Sequence, residues 1–120
     1  MTGKEETIKN NQERINKVLV YISEHLDEKL DLEKLALMSN FSVYHFHRIM
    51  RAYLNEPLGA FVTRLRLDKA ANLLEFTKDP ISDIAYRVGF EVPSSLNKAF
   101  RKRFGTTPAA FHETKKALIP

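Results

Sequence analysis

Two clusters of side chains in this 120-residue chain have the chemistry to recognise a polyanion and read a base edge. The first holds Tyr44, His45, His47, Arg48 and Arg51. An arginine fork such as Arg48 matches the two acceptors of a guanine edge; its other uses are a phosphate contact or an ion pair within the chain. Tyr44 suits the thymine methyl or the sugar, or packing inside the protein. The second cluster is Pro93, Ser94, Ser95, Asn97 and Lys98, followed by Arg101, Lys102 and Arg103, whose charge suits phosphates.

Other chemistry is poorly supplied. His45 and His47 stand two apart, which on a helix points them about 200° from each other, so they do not chelate one ion together. His25 and His112 are distant in sequence and there is no cysteine. No metal site, disulfide or cofactor is expected. Glu24, Asp27 and Glu28 read as a solvated helix face. Thr63 and Asp68 lack a histidine at matching spacing, and the four glycines form no phosphate loop. No catalytic constellation emerges, and the chain is not expected to be an enzyme.

Charge is distributed unevenly. Residues 1–40 carry six Lys/Arg against eight Asp/Glu, whereas residues 41–120 carry thirteen against seven. The positive charge thus lies with both clusters, as a polyanion-binding face requires. No apolar run has the length of a membrane span and no signal peptide opens the chain, so a cytoplasmic location without membrane contact is expected.

The elements that must position these side chains are all helical. Residues 1–10 are polar and aperiodic, the pattern of a disordered tail. Ile15, Val18, Leu19, Ile22 and Leu26 then recur at helical spacing over about 11–27. Asp31 is placed to cap a second helix and Ser42 a third, each with a hydrophobic staple (Leu30 with Leu35, Phe41 with Phe46). In the third helix Phe46, Ile49, Met50 and Tyr53 fall at core spacing, which leaves the first cluster exposed and puts Tyr44, His47 and Arg48 nearest the helix start. A long helix over 58–76 follows, with Phe61, Leu65 and Leu74 inward. Asp79 is placed to cap a fifth helix, with Pro80 in its first turn. The sixth spans about 93–104, with Leu96, Ala99, Phe100 and Phe104 inward, and a short seventh follows Thr107-Pro108. The expected fold is all-α with seven helices. Its parts are a tail (1–10), a first helix-turn-helix subdomain (11–57), a linker helix (58–77) and a second such subdomain (78–115).

An internal repeat supports that division. L-E-K-L-A-L-M-S-N-F at 32–41 aligns with I-S-D-I-A-Y-R-V-G-F at 81–90, a shift of 49. F-H-R-I-M-R-A-Y-L-N-E-P-L-G-A-F at 46–61 aligns with L-N-K-A-F-R-K-R-F-G-T-T-P-A-A-F at 96–111, a shift of 50. The extra residue is assigned to the start of the sixth helix. Asn40 pairs with Gly89 and Asn55 with Gly105, and these are the residue types that best tolerate a left-handed helix end. Two helices joined by a short turn holding Asn or Gly describe a helix-turn-helix. An ordinary helical-hairpin repeat would stack its copies directly, whereas here a long helix separates two.

On these motifs, above all I-S-D-I-A-Y-R-V-G-F with F-R-K-R-F-G-T-T-P-A-A-F, the chain resembles the DNA-binding domain of the AraC/XylS family of bacterial transcription regulators. The likeness covers about residues 11–113, and Y-H-F-H-R is similar to members with a C-terminal GyrI-like effector domain. The resemblance implies sequence-specific binding of double-stranded DNA, transcription activation, and two recognition helices in successive major grooves. It implies further partners in RNA polymerase and in an effector-binding domain absent from these residues. It makes Pro93, Ser94, Ser95 and Lys98 base-facing. Members often carry glutamine or arginine at such positions, so weaker base discrimination is expected of the second unit. The competing reading is a helical protein-interaction module that does not touch DNA; it would need an uncharged or acidic face where both second helices are basic.

Overall fold

The fold is given by a computed structural model describing residues 2–118. It has seven helices in chain order: α1 (Thr2–Glu24), α2 (Leu32–Ser39), α3 (Val43–Leu54), α4 (Leu58–Phe76), α5 (Ile81–Val88), α6 (Pro93–Phe104) and α7 (Pro108–Lys116). The chain divides into two compact units. One comprises residues 1–25 and 30–61, the other residues 26–29 and 62–120.

The first unit is built on α1, α2 and α3. Ile15, Val18 and Ile22 form the buried stripe of α1, Leu35 and Ala36 that of α2, and Phe46 and Met50 that of α3. The start of α1 corrects the expectation of a disordered tail over 1–10, for the helix already runs from Thr2. Once Ile15 to Ile22 are held by packing, each further residue costs little to add. Residues 7–10 remain exposed, which is why they show no apolar period. At the other end α1 stops at Glu24, and Leu26, counted with that helix from its spacing, is buried outside it.

In the second unit, Leu67, Ala70 and Leu74 of α4 share one core with Ile84, Ala85 and Val88 of α5 and Leu96 and Phe100 of α6. Helix α4 begins in the first unit and continues into the second, so it joins them as expected and also contributes to the second core. From Val62 onward it is the supporting helix of the second unit, as α1 is of the first. The sequence carries this equivalence at a third shift, 52: R-I-N-K-V at 14–18 matches R-L-D-K-A at 66–70. Ile15, Val18 and Ile22 thereby correspond to Leu67, Ala70 and Leu74, all buried.

The repeat extends to backbone detail. Helices α2 and α5 both have 8 residues, and α3 and α6 both have 12. The extra residue of the second copy thus lies in its turn, residues 89–92 against 40–42, and not within α6. Asn40, Asn55, Gly89 and Gly105 all have positive φ, at 59°, 58°, 106° and 74°. Phe41 N–H donates to the Ala36 carbonyl at 3.1 Å, and Phe90 N–H to the Ala85 carbonyl at 3.0 Å. This is the six-to-one bond that closes a helix on a left-handed residue.

The N-termini differ between copies. Asp31 accepts from Glu33 N–H at 3.0 Å and Ser42 from His45 N–H at 3.2 Å, so α2 and α3 are capped by side chains. In the second unit the expected cap at Asp79 does not form. Pro80 holds the cap position of α5, and the Asp79 carboxylate instead pairs with Arg87 at 2.9 Å. Val92 and Pro93 open α6 without a capping side chain. Ser42→Ala should therefore destabilise the first unit by about 1 kcal/mol, read as a lower urea midpoint at unchanged slope.

Candidate nucleic-acid interface

In α3, burial of Phe46 and Met50 fixes the helix rotation and turns Tyr44, His45, His47, Arg48 and Arg51 to solvent. Tyr44, Arg48 and Arg51 follow the four-then-three spacing of one helix face, with His47 beside Arg48 on it. Tyr44 is 73% exposed and so takes no part in packing. The Arg48 guanidinium lies 5.8 Å from the centre of the Tyr44 ring, at the outer range of a cation–π contact. His45 sits slightly off this face, its ring edge-on to Phe41 at 5.0 Å. Tyr53 departs from its expected core position. It is 47% exposed, with its hydroxyl 3.5 Å from Asn16 Oδ1, because α3 buries a stripe too narrow to include it.

In α6, Leu96 and Phe100 are fully buried, and Ser94, Ser95, Asn97, Lys98, Arg101 and Lys102 are exposed. Pro93 is half-buried at the first helical position. Phe104, expected inward, is partly exposed at the helix end, tilted against Phe100 at 4.6 Å. Arg103 is held by Asp68 of α4 at 2.8 Å and so is not available as a phosphate contact in this arrangement. The side chains of Arg51, Lys98, Arg101 and Lys102 make no hydrogen bond or ion pair among the described residues. Four cations left to solvent on two helix faces are poised for an external anion.

Two arginines outside both clusters lie against the turns that precede these helices. Arg14 of α1 lies over the Phe41 ring at 3.8 Å and donates to the carbonyls of Ser39 (2.6 Å) and Asn40. Arg66, its counterpart on α4, donates to the carbonyls of Leu26 and Glu28, both at 3.0 Å, and stands against Gly89. Burial lowers the pKa of its guanidinium, which stays charged. The shared R-I-N-K and R-L-D-K segments are the signal that marks both residues. Among the described residues, no group of three or more His, Asp or Glu side chains is arranged to hold a metal ion. No helix there is long and apolar enough to cross a membrane.

A three-helix unit presenting an exposed basic helix after a left-handed turn is a helix-turn-helix unit, and the chain contains two. Comparison with known proteins refines the class. The family model described as "Helix-turn-helix domain" matches residues 35–114. The regulatory protein SoxS of Escherichia coli is 30% identical over 102 residues, which are 85% of this chain and 95% of that protein. The right origin-binding protein of Escherichia coli is 32% identical over 100 residues, or 83% of this chain, which spans only 35% of that relative's length. Among solved structures, the DNA-binding domain of the transcriptional factor AdpA in complex with a target DNA superposes with a TM-score of 0.79 at 30% identity. That match covers 85% of this chain and 92% of that one. The chain belongs to the AraC/XylS family of bacterial transcription regulators and corresponds to its helix-turn-helix DNA-binding domain.

Proposed function

We propose that this chain binds double-stranded DNA in a sequence-specific manner to regulate bacterial transcription, as an activator, with α3 and α6 as recognition helices in successive major grooves. One observation carries the reading: both helices that follow a left-handed turn expose cations that pair with no other side chain among the described residues. The 19 residues of α4 run about 28 Å, a length that suits supporting two grooves one turn apart. Tyr44, His47 and Arg48 are the base readers of α3, while His45 and Arg51 flank them toward the phosphates. Pro93, Ser94, Ser95, Asn97 and Lys98 open α6 at the bases, with Arg101 and Lys102 near the backbone. A protein-interaction module blind to DNA is disfavoured, since its second-helix faces would not be basic. The same reading includes RNA polymerase as a second partner and, within a longer chain, an effector-binding domain.

Arg48→Ala tests base readout. Measured by fluorescence anisotropy, it should weaken binding to a selected duplex by about 1–3 kcal/mol and change binding to a scrambled duplex much less. An equal loss on both duplexes would reduce Arg48 to a phosphate contact.

A further inference from the structure

Because the two units share helix lengths, turn bonds and buried positions, α3 and α6 can be compared residue by residue at the shift of 50. At four exposed positions in the opening two turns, the second copy carries a shorter or less directional side chain, while exposed Val43 corresponds to half-buried Pro93. Tyr44 becomes Ser94, His45 becomes Ser95, His47 becomes Asn97 and Arg48 becomes Lys98. Further along, charge is kept or increased: Arg51 becomes Arg101, and Ala52 becomes Lys102.

Base edges are read from the start of a recognition helix, whereas its later turns lie nearer the phosphates. A serine hydroxyl reaches a much shorter distance from the helix axis than a tyrosine or an arginine fork. Lysine presents a point charge with no planar pair of donors. Apart from Asn97, whose amide can pair with an adenine edge, the α6 face is thus weak where sequence is read and strong where charge is held. The core positions keep their apolar, buried character, for Phe46 and Met50 become Leu96 and Phe100.

We infer that sequence discrimination resides in α3, through Tyr44, His47 and Arg48, and that α6 acts mainly as a sequence-tolerant electrostatic hold through Lys98, Arg101 and Lys102. This division of labour rests on the DNA-binding reading proposed above. It predicts a target site in which one half is strictly specified and the other half is loosely specified.

The test is a single-base substitution scan of a duplex selected for tight binding, read by anisotropy at several salt concentrations. It uses the full chain and the variants Arg48→Ala, Lys98→Ala, Asn97→Ala and Lys102→Ala. Base changes costing the unaltered protein about tenfold or more should fall within one half-site, and Arg48→Ala should erase part of that cost. Lys98→Ala and Lys102→Ala should instead weaken every duplex alike and lower the salt slope by about 0.9 for each contact removed. If base changes of similar cost occur in both halves, and Lys98→Ala or Asn97→Ala erases those in the second, the division of labour is wrong although the DNA-binding reading stands. If the unaltered protein prefers no duplex over a random one, the DNA-binding reading itself fails, and the inference with it.

Discussion

Gly89→Ala is expected to destabilise the second unit by about 3 kcal/mol or more, whereas Gly105→Ala should cost only about 1 kcal/mol. Both glycines end a helix with positive φ, so both substitutions incur the left-handed strain. Only at Gly89 is the space also occupied. A Cβ there would lie 1.9 Å from the Leu26 carbonyl oxygen and 2.6 Å from Arg66 Nε, whereas at Gly105 it would meet nothing within 4 Å. The Leu26 oxygen is backbone and is itself held by Arg66, so neither obstacle gives way cheaply. The same geometry explains why the first copy manages with Asn40, which is exposed at φ 59°, and the second does not. Gly89→Asn should fare no better than the alanine variant, since its Cβ occupies the same place. Urea denaturation of the three variants checks the ordering, and near-equal losses at Gly89 and Gly105 would sink the steric account.

Phe100→Ala is expected to cost about 3–5 kcal/mol. Its ring is fully buried among Leu67, Ala70, Leu74, Ile84, Ala85, Val88 and Leu96, with Phe104 and Phe111 at 4.6 and 5.5 Å. Removal leaves a cavity bounded by four helices, and stiff Ile and Val side chains do not collapse easily into it. The loss would also free α6 from its rotation, so DNA binding should fall together with stability. Phe46→Ala should cost a comparable amount in the first unit, where that ring is equally buried. Tyr53→Ala, on the exposed rim of α3, should cost under about 1 kcal/mol. Thermal and urea unfolding distinguish these, and a mild loss at Phe100 would mean that the second core is held elsewhere.

Much of this organisation was legible in the residues. Apolar spacing located the helices, and Asn40, Asn55, Gly89 and Gly105 marked the left-handed ends of four of them. What the spacing missed has identifiable causes. The equivalence of α1 and α4 was hidden because the three helices of the repeat recur at shifts of 52, 49 and 50, as loops of unequal length separate them. A search at one shift finds only part of the pattern, and the share of α4 in the second core then goes unnoticed. Asp79 has the right residue type for a cap, but its carboxylate is engaged by Arg87. Tyr53 and Phe104 satisfy the helical period yet lie at the rim, since periodicity sets a direction and not a depth. Residues 2–10 show the converse: helix forms there without any apolar stripe to announce it. On the faces of α3 and α6, apolar spacing identified the exposed polar side chains, while the Arg103–Asp68 pair, which withdraws one cation from α6, depends on a long-range contact no local pattern shows.

On the function proposed above, both recognition helices engage DNA and base sequence is read directly. The most direct measurement is selection of tight binders from a randomised duplex library, followed by anisotropy titration of the enriched sequences at several salt concentrations. The expected result is enrichment of a bipartite motif, its halves about one helical turn (roughly 34 Å) apart, bound in clear preference to random duplex at every salt concentration. Binding that stays weak, indifferent to sequence and wholly driven by low salt would contradict it.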